Sequence, residues 1–169
     1  MPIKPSHKII AYATIVSTPI FMQNIAMKKI IEPQGCTNLK LRQLSRIVTR
    51  HYDQYVSESG LKNTQYALLS VVLRLGPIRP RDLAKEMQMD ASTLTRNMQP
   101  LVAKEWLKIG AGENAKSKLV EITLLGEEKR AEGQKAWKKA QSAINKKLGD
   151  EPVTALHNLL DECIEYLND

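Results

Sequence analysis

The sequence predicts a mainly α-helical chain with a small β-hairpin wing: a winged helix-turn-helix with N- and C-terminal dimerisation helices. Three observations carry this. Two short amphipathic helices separated by a tight turn fall between Pro80 and Ala103. Two β-like runs around a polar loop follow them without a gap. Longer apolar-striped helices lie on both sides, with more hydrophobic surface than so small a head needs to cover.

Residues 1–35 are expected to be an N-terminal arm or a mis-assigned start. Lys4, His7 and Lys8 precede an apolar run from Ile9 to Met22 that looks like a signal peptide. Pro19, Ser and Thr interrupt that run, and it is shorter than a membrane-spanning helix requires. No small-x-small cleavage pattern follows, and Pro33 occupies the apolar position of a lipoprotein box ahead of Cys36. Three readings stand: an arm packed on a dimer, a true start at Met22 or Met27, and a genuine signal.

Residues 36–60 are expected to hold a dimerisation helix over 37–58, with Leu44, Ile47, Val48, His51, Tyr52 and Tyr55 on one face. Residues 61–125 are expected to be the winged helix-turn-helix. Its first helix, Asn63–Leu75, is nearly all apolar and belongs at the centre of the domain, ended by Gly76-Pro77. The next, Pro80–Met87, buries Leu83, Ala84 and Met87, and Pro80 suits its first turn because a missing N–H costs nothing there. A Gln88-Met89-Asp90 turn leads to Ala91–Ala103, where Asp90 can cap the free amides. Leu94, Met98, Leu101 and Val102 mark the buried face of this helix. Pro100 removes a helical bond to the Arg96 carbonyl, which predicts a kink. The hairpin is read as Trp106–Ile109 and Leu119–Thr123, with Val120, Ile122 and Leu124 alternating inward. Residues 126–169 complete the frame with two C-terminal dimerisation helices. One runs from about Leu125 to Leu148, lined by Ala136, Trp137, Ala140, Ala143 and Ile144. The other is capped by Asp150 and striped by Val153, Leu156, Leu160, Cys163 and Leu167 in a heptad-like rhythm, which places Cys163 in the core.

A turn of about 100° per residue sets Ser92, Arg96 and Gln99 opposite the buried face of the second short helix, with Thr93 and Thr95 on its flanks. These are side chains that address base edges and phosphates in a major groove. Arg81 on the preceding helix, and Lys116 and Lys118 in the wing, are candidate backbone contacts. The expected DNA-binding set is therefore Arg81, Ser92, Thr93, Thr95, Arg96, Gln99, Lys116 and Lys118. Each basic residue alone reads equally well as solvated surface; the set gains weight from its position around a helix-turn-helix.

Charge agrees with that placement. The chain is +7 overall, and the segments 1–35, 36–60, 61–125 and 126–169 carry +3, +2, +4 and −2. The excess sits on the proposed reading head and what precedes it, where it attracts phosphate. Two cysteines, Cys36 and Cys163, form no disulfide framework and point to a reducing, cytoplasmic setting. Cys-x-x-Cys, His-Glu-x-x-His, phosphate-loop and dinucleotide-binding patterns are absent, and the three histidines have no ligand spacing. No catalytic residues, metal site or cofactor are expected, and the chain is not expected to be an enzyme or to enter a membrane.

Over roughly residues 36–168 the chain resembles the MarR family of bacterial transcription regulators. The carriers are Leu41-Arg42-Gln43-Leu44-Ser45-Arg46, Tyr52-Asp53, Gly60-Leu61-Lys62-Asn63-Thr64-Gln65-Tyr66, Asp82-Leu83-Ala84, Met89–Asn97 and Leu119–Gly126, in that order and spacing. The resemblance implies a triangular homodimer with two winged heads, usually a repressor, relieved by a small ligand or by cysteine oxidation. Such a dimer reads inverted half-sites about one helical turn, ~34 Å, apart on double-stranded DNA. Two departures stand out. The Asp-x-Arg usual in the family's wing is Asn114 and Lys116 here, which keeps a charge but loses the guanidinium fork. The family's usual Thr cap before the first winged-domain helix is Lys62, leaving Asn63 as the substitute cap.

Two controls are open. Cys36 lies about two residues before the position at which the peroxide-sensing branch carries its reactive cysteine, and a helix start favours thiolate chemistry; a lone cysteine is also a common apolar filler. A small aromatic effector would sit in a cleft lined by Arg46, His51, Tyr52, Tyr55 and Tyr66, which offer rings and a cation; the same tyrosines are equally suited to holding a helix junction. Two other functions fit parts of the chain: a winged-helix protein-interaction adaptor that no longer reads DNA, and an envelope-associated protein anchored through residues 9–22.

Overall fold

The computed structural model of the protein describes residues 34–112 and 117–168. Six α-helices and one hairpin follow in order among them: α1 (Thr37–Val56), α2 (Asn63–Leu75), α3 (Pro80–Glu86), α4 (Ala91–Ala103), β1 (Leu107–Ala111), β2 (Lys118–Ile122), α5 (Leu124–Leu148) and α6 (Asp150–Asn168). A single 3-10 turn, Ser57–Ser59, joins α1 to α2. The mainly α, winged helix-turn-helix reading is therefore the fold observed.

The core lies where the sequence places it. Leu68, Leu69 and Val72 of α2 meet Leu83 of α3, Leu94 and Leu101 of α4, Leu107 of β1 and Val120 of β2, all essentially inaccessible. Full burial of one such side chain contributes roughly 2 kcal/mol, so this cluster holds the three short helices and the hairpin as one body. The sharp turn between α3 and α4 needs Gln88 in the left-handed region at φ 52°, and the Met89 N–H closes it onto the Ala84 carbonyl at 2.8 Å. Pro100 does not end α4, which continues to Ala103.

The hairpin is antiparallel, pairing Leu107 with Ile122 and Ala111 with Lys118; β1 starts one and ends two residues later than the sequence pattern suggests, and β2 starts and ends one earlier. Ile78, in the α2–α3 connection, exchanges two backbone bonds with Val120, at 3.1 and 2.8 Å. That bridge fixes the root of the wing beside the helix-turn-helix. Flanked by Pro77 and Arg79, Ile78 has no periodic signal to announce it.

Four expectations are corrected. Leu124 is not an inward strand residue: Thr123 caps α5, its hydroxyl accepting from the Gly126 N–H at 3.0 Å, and Leu124 starts the helix 80% exposed. Asp150 is the first residue of α6 rather than its cap; Gly149, at φ 90°, makes the break and its carbonyl accepts from Val153. Asn63 does not cap α2; its N–H donates to Asp53 Oδ1 at 2.7 Å, while Gln65 Oε1 takes the Lys62 N–H at 3.0 Å. Cys163 is exposed, not core. The α6 stripe packs within the chain as far as Val153, Leu156 and Leu160, and beyond that Ile164, Tyr166 and Leu167 face solvent.

Candidate nucleic-acid interface

α4 turns two chemically different faces outward and inward. Leu94, Met98 and Leu101 are buried against the core, which leaves Ser92, Thr95, Arg96 and Gln99 exposed on the other side and Thr93 half-buried at the edge. Arg81 of α3 is exposed and shares with Thr95 a cleft of about 370 Å³ between α3 and α4. Lys118, at the start of β2, is exposed. A second recess of about 350 Å³ lies at the wing root, between Arg79 and Asp82 on one side and Ser117 and Leu119 on the other. The structure thus sets five of the eight expected residues on one helix and Arg81 beside them. Lys116, like Asn114, lies outside the described residues.

The electrostatics of this face follow from which acids are engaged elsewhere. Glu86 pairs with Arg74 at 2.6 Å, Glu121 with Lys108 at 2.6 Å, and Asp82 approaches Arg79 at 3.9 Å. Among the described residues no ion pair holds Arg81, Arg96 or Lys118. Their charge is available to an incoming polyanion, without the cost of breaking an internal pair.

Asp90 organises the start of α4. Its Oδ1 accepts from the Ser92 hydroxyl at 2.6 Å and the Thr93 N–H at 2.7 Å, and its Oδ2 accepts from the Thr93 hydroxyl at 2.7 Å. The Ser92 hydroxyl, then the Thr93 hydroxyl and N–H, hold this carboxyl far below the usual carboxylate range. The helix cap is visible in the sequence, but the grip on both hydroxyls is a feature sequence reasoning missed. The spacing Asp90-x-Ser92-Thr93 is its signal, because short polar side chains two and three residues on reach back to an N-cap carboxylate.

The expected effector cleft is built differently. His51 Nε2 donates to the Ala140 carbonyl at 2.9 Å, and the Tyr52 hydroxyl donates to Gln141 Oε1. Burial raises the Tyr52 pKa. Trp137 faces Tyr52 and Tyr66 with ring centres 6.3 and 6.1 Å away, and Tyr55 lies 5.3 Å from His51. His51 and Tyr52 of α1 and Tyr66 of α2 are tied to α5, Tyr55 packs on His51 within α1, and the polar tips of His51 and Tyr52 are committed to α5 rather than pointed at a ligand. Arg46 is exposed and makes none of these ties. An apolar cavity of about 360 Å³ does exist between α1, α5 and α6, bounded by Leu44, Val48, Tyr52, Ile144, Val153 and Leu160. Of the five expected residues, Tyr52 alone borders it. Cys36 is exposed just before α1. Among the described residues no cluster of His, Cys, Asp or Glu is arranged to hold a metal, and no helix is long and apolar enough to cross a membrane.

Comparison with known proteins points the same way. Residues 59–116 match the sequence profile of the MarR family. An uncharacterized HTH-type transcriptional regulator of Bacillus subtilis, YwoH, is 25% identical over 93 residues, 55% of this chain and 68% of the relative. Among solved structures, the Mycobacterium tuberculosis transcriptional regulator MosR in complex with DNA is 25% identical, with a TM-score of 0.63 over 76% of this chain and 98% of that one. A mutant of Escherichia coli MarR complexed with operator DNA shares the fold at a TM-score of 0.69 and 21% identity, over 75% of this chain and 91% of that one. Both of these solved structures hold DNA.

Proposed function

With residues 59–116 MarR-family sequence and the described chain in the MarR-type winged helix-turn-helix fold, we propose that this regulator is a homodimeric repressor that reads inverted repeats in duplex DNA. The observation that carries the reading is the face of α4. Ser92, Thr95, Arg96 and Gln99 stand exposed over a helix whose other side buries Leu94, Met98 and Leu101, and among the described residues no ion pair holds Arg96. α4 enters the major groove, and Arg81 and Lys118 hold the flanking backbone.

Pairing is supported by hydrophobic surface left uncovered in the single chain. Leu39, Leu41 and Ile47 of α1 and Leu159, Ile164, Tyr166 and Leu167 of α6 are each between 47% and 84% exposed. A two-fold dimer covers such faces and sets two heads about 34 Å apart on one side of the duplex. Relief comes from a small aromatic molecule in the cavity beside Tyr52, or from oxidation of exposed Cys36, in a cytoplasmic protein.

One experiment tests these together. The purified protein selects bound fragments from sheared genomic DNA, alone, with hydrogen peroxide, and with benzoate or salicylate. Enrichment of palindromes, reduced by one of the additives, is the expected result. Enrichment unaffected by any additive removes the relief mechanism, and no enrichment in dilute buffer removes DNA reading.

A further inference from the structure

Each hydroxyl on the reading face has a single proton, and in all three the partner of that proton is visible. Ser92 Oγ lies 2.6 Å from Asp90 Oδ1, and Thr93 Oγ1 lies 2.7 Å from Asp90 Oδ2. Thr95 Oγ1 lies 2.7 Å from the Ala91 carbonyl oxygen. An ionised carboxylate and a carbonyl oxygen accept and never donate, so in every pair the hydroxyl supplies the proton. What remains on the solvent side of Ser92 and Thr95 is lone pairs.

We infer that α4 addresses DNA through these hydroxyls as an acceptor surface, selecting bases by their exocyclic amines, adenine N6 or cytosine N4. The inference rests on the reading of α4 as the DNA-facing helix. The major groove offers acceptors at guanine N7 and O6, adenine N7 and thymine O4, and donors at adenine N6 and cytosine N4. A hydroxyl whose proton is held internally meets the first group with lone pair against lone pair, and the second with a hydrogen bond. The same logic bars Ser92 and Thr95 from phosphate oxygens. Donation to DNA from this face falls to Arg96 and Gln99, and backbone anchoring falls to Arg81, Lys118 and main-chain N–H groups. Thr93, half-buried, anchors the arrangement, while exposed Ser92 and Thr95 do the reading. Asp90 is a positioning residue: it sets the polarity of its neighbours without touching a base.

The Asp90 carboxylate stays ionised well below neutral pH, so the arrangement holds under any physiological condition. Replacing it with Gly removes both acceptor oxygens while keeping a tolerated cap residue. With no carboxylate to accept it, the Ser92 hydroxyl proton is free to turn toward the groove, while the Thr95 proton stays on the Ala91 carbonyl.

The test starts from the duplex that the full-length wild-type protein selects from a randomised pool. Each adenine of the half-site is replaced singly by purine, which lacks the N6 amine, and each cytosine by 2-pyrimidinone, which lacks the N4 amine. One or two of these replacements are expected to weaken wild-type binding about fivefold, the size of one hydrogen bond. The same replacements are expected to cost Ser92→Ala or Thr95→Val nothing further. Selection by Asp90→Gly is expected to admit guanine or thymine at the position read by Ser92 while leaving the Thr95 and Arg96 contacts unchanged. A half-site indifferent to loss of every amine, or an Asp90→Gly preference unchanged at the Ser92 position, overturns the inference alone. A wild-type protein that selects no duplex overturns it together with the regulator reading.

Discussion

Asp53 Oδ1 accepts the backbone N–H of Asn63 at 2.7 Å, so a side chain near the end of α1 caps the start of α2. The cap position itself holds Lys62, whose ammonium has nothing to offer an orphan amide. The cap is supplied across the 3-10 turn instead, and it ties the end of α1 to the start of α2. Asp53→Ala is expected to lower unfolding free energy by about 1 kcal/mol, the usual worth of an N-cap, and Asp53→Asn by much less. Urea titration followed by far-ultraviolet circular dichroism checks both. Equal stability of Asp53→Ala and wild type removes the cap.

Gly126 and Gly133 both lie on the buried side of α5 but differ in what surrounds them. A Cβ on Gly126 would overlap the Trp106 carbonyl oxygen, which is backbone and cannot swing away. A Cβ on Gly133 would meet Leu61 Cδ1 and Tyr66 Cδ2, each at 2.9 Å. Leu61 can adjust its rotamer, and the Tyr66 ring can tilt. Gly126→Ala is expected to destabilise by about 3 kcal/mol and Gly133→Ala by about 1 kcal/mol, the two ends of the range for overpacking. Denaturant midpoints of the pair, measured side by side, give the ordering; a reversed order contradicts the backbone contact.

What was legible in the sequence was local. Leu94, Met98 and Leu101 announce α4 and its buried side by spacing alone, and with them the exposed set from Ser92 to Gln99. Asp90 reads as a cap because caps lie next to what they cap. What the expected cleft residues do was not legible: the bonds that occupy His51 and Tyr52 reach across 89 residues to Ala140 and Gln141. Nothing within reach of α1 in the sequence distinguishes a tyrosine that greets a ligand from one that ties down another helix. Ile78 and Asp53 escaped for the same reason, each acting on a partner in a different element. Cys163 escaped differently: a heptad stripe reports that a face will be covered, not by which chain.

The stripe on α6 bears directly on assembly. Ile164 is 51% exposed and Leu167 is 84% exposed, so in a lone chain their replacement by Asp falls in the class of surface changes worth less than about 0.5 kcal/mol. In a dimer the same carboxylates would be buried without partners, at a cost of several kcal/mol. The double variant Ile164→Asp, Leu167→Asp is therefore expected to sediment as a monomer, with its helical content retained, at concentrations where wild type is expected to sediment as a dimer. A variant that sediments with wild type places the pairing surface elsewhere.

Asp90 gives the protein a defined response to acid. Its folded pKa lies below its unfolded value, so the stabilisation it brings is complete above the ordinary carboxylate range and declines as pH falls through the folded pKa. Asp90→Asn cannot lose a proton and lacks that response. Urea midpoints of wild type and Asp90→Asn are expected to converge as pH falls below about 4, the unfolded carboxylate value, and to stay parallel above it. A constant gap down to strong acid would mean that Asp90 is not ionised in its cap.

The DNA-binding roles proposed for Arg96 and Lys118 predict two separately measurable effects. Arg96 projects from the middle of the α4 face, where its planar fork matches guanine O6 and N7. Lys118 stands on the wing with a compact charge suited to phosphate. Arg96→Ala is expected to cost about 1–3 kcal/mol on the selected site and to relax base preference at one position. Lys118→Ala is expected to weaken selected and random duplexes alike and to reduce the slope of log affinity against log salt by about 1. Fluorescence anisotropy over a series of salt concentrations, on both duplexes, separates the two effects. If Arg96→Ala instead weakens random and selected DNA equally, the guanidinium lies on a phosphate. The base-reading stretch of α4 then ends at Thr95, nearer to the helix start than its exposed face suggests.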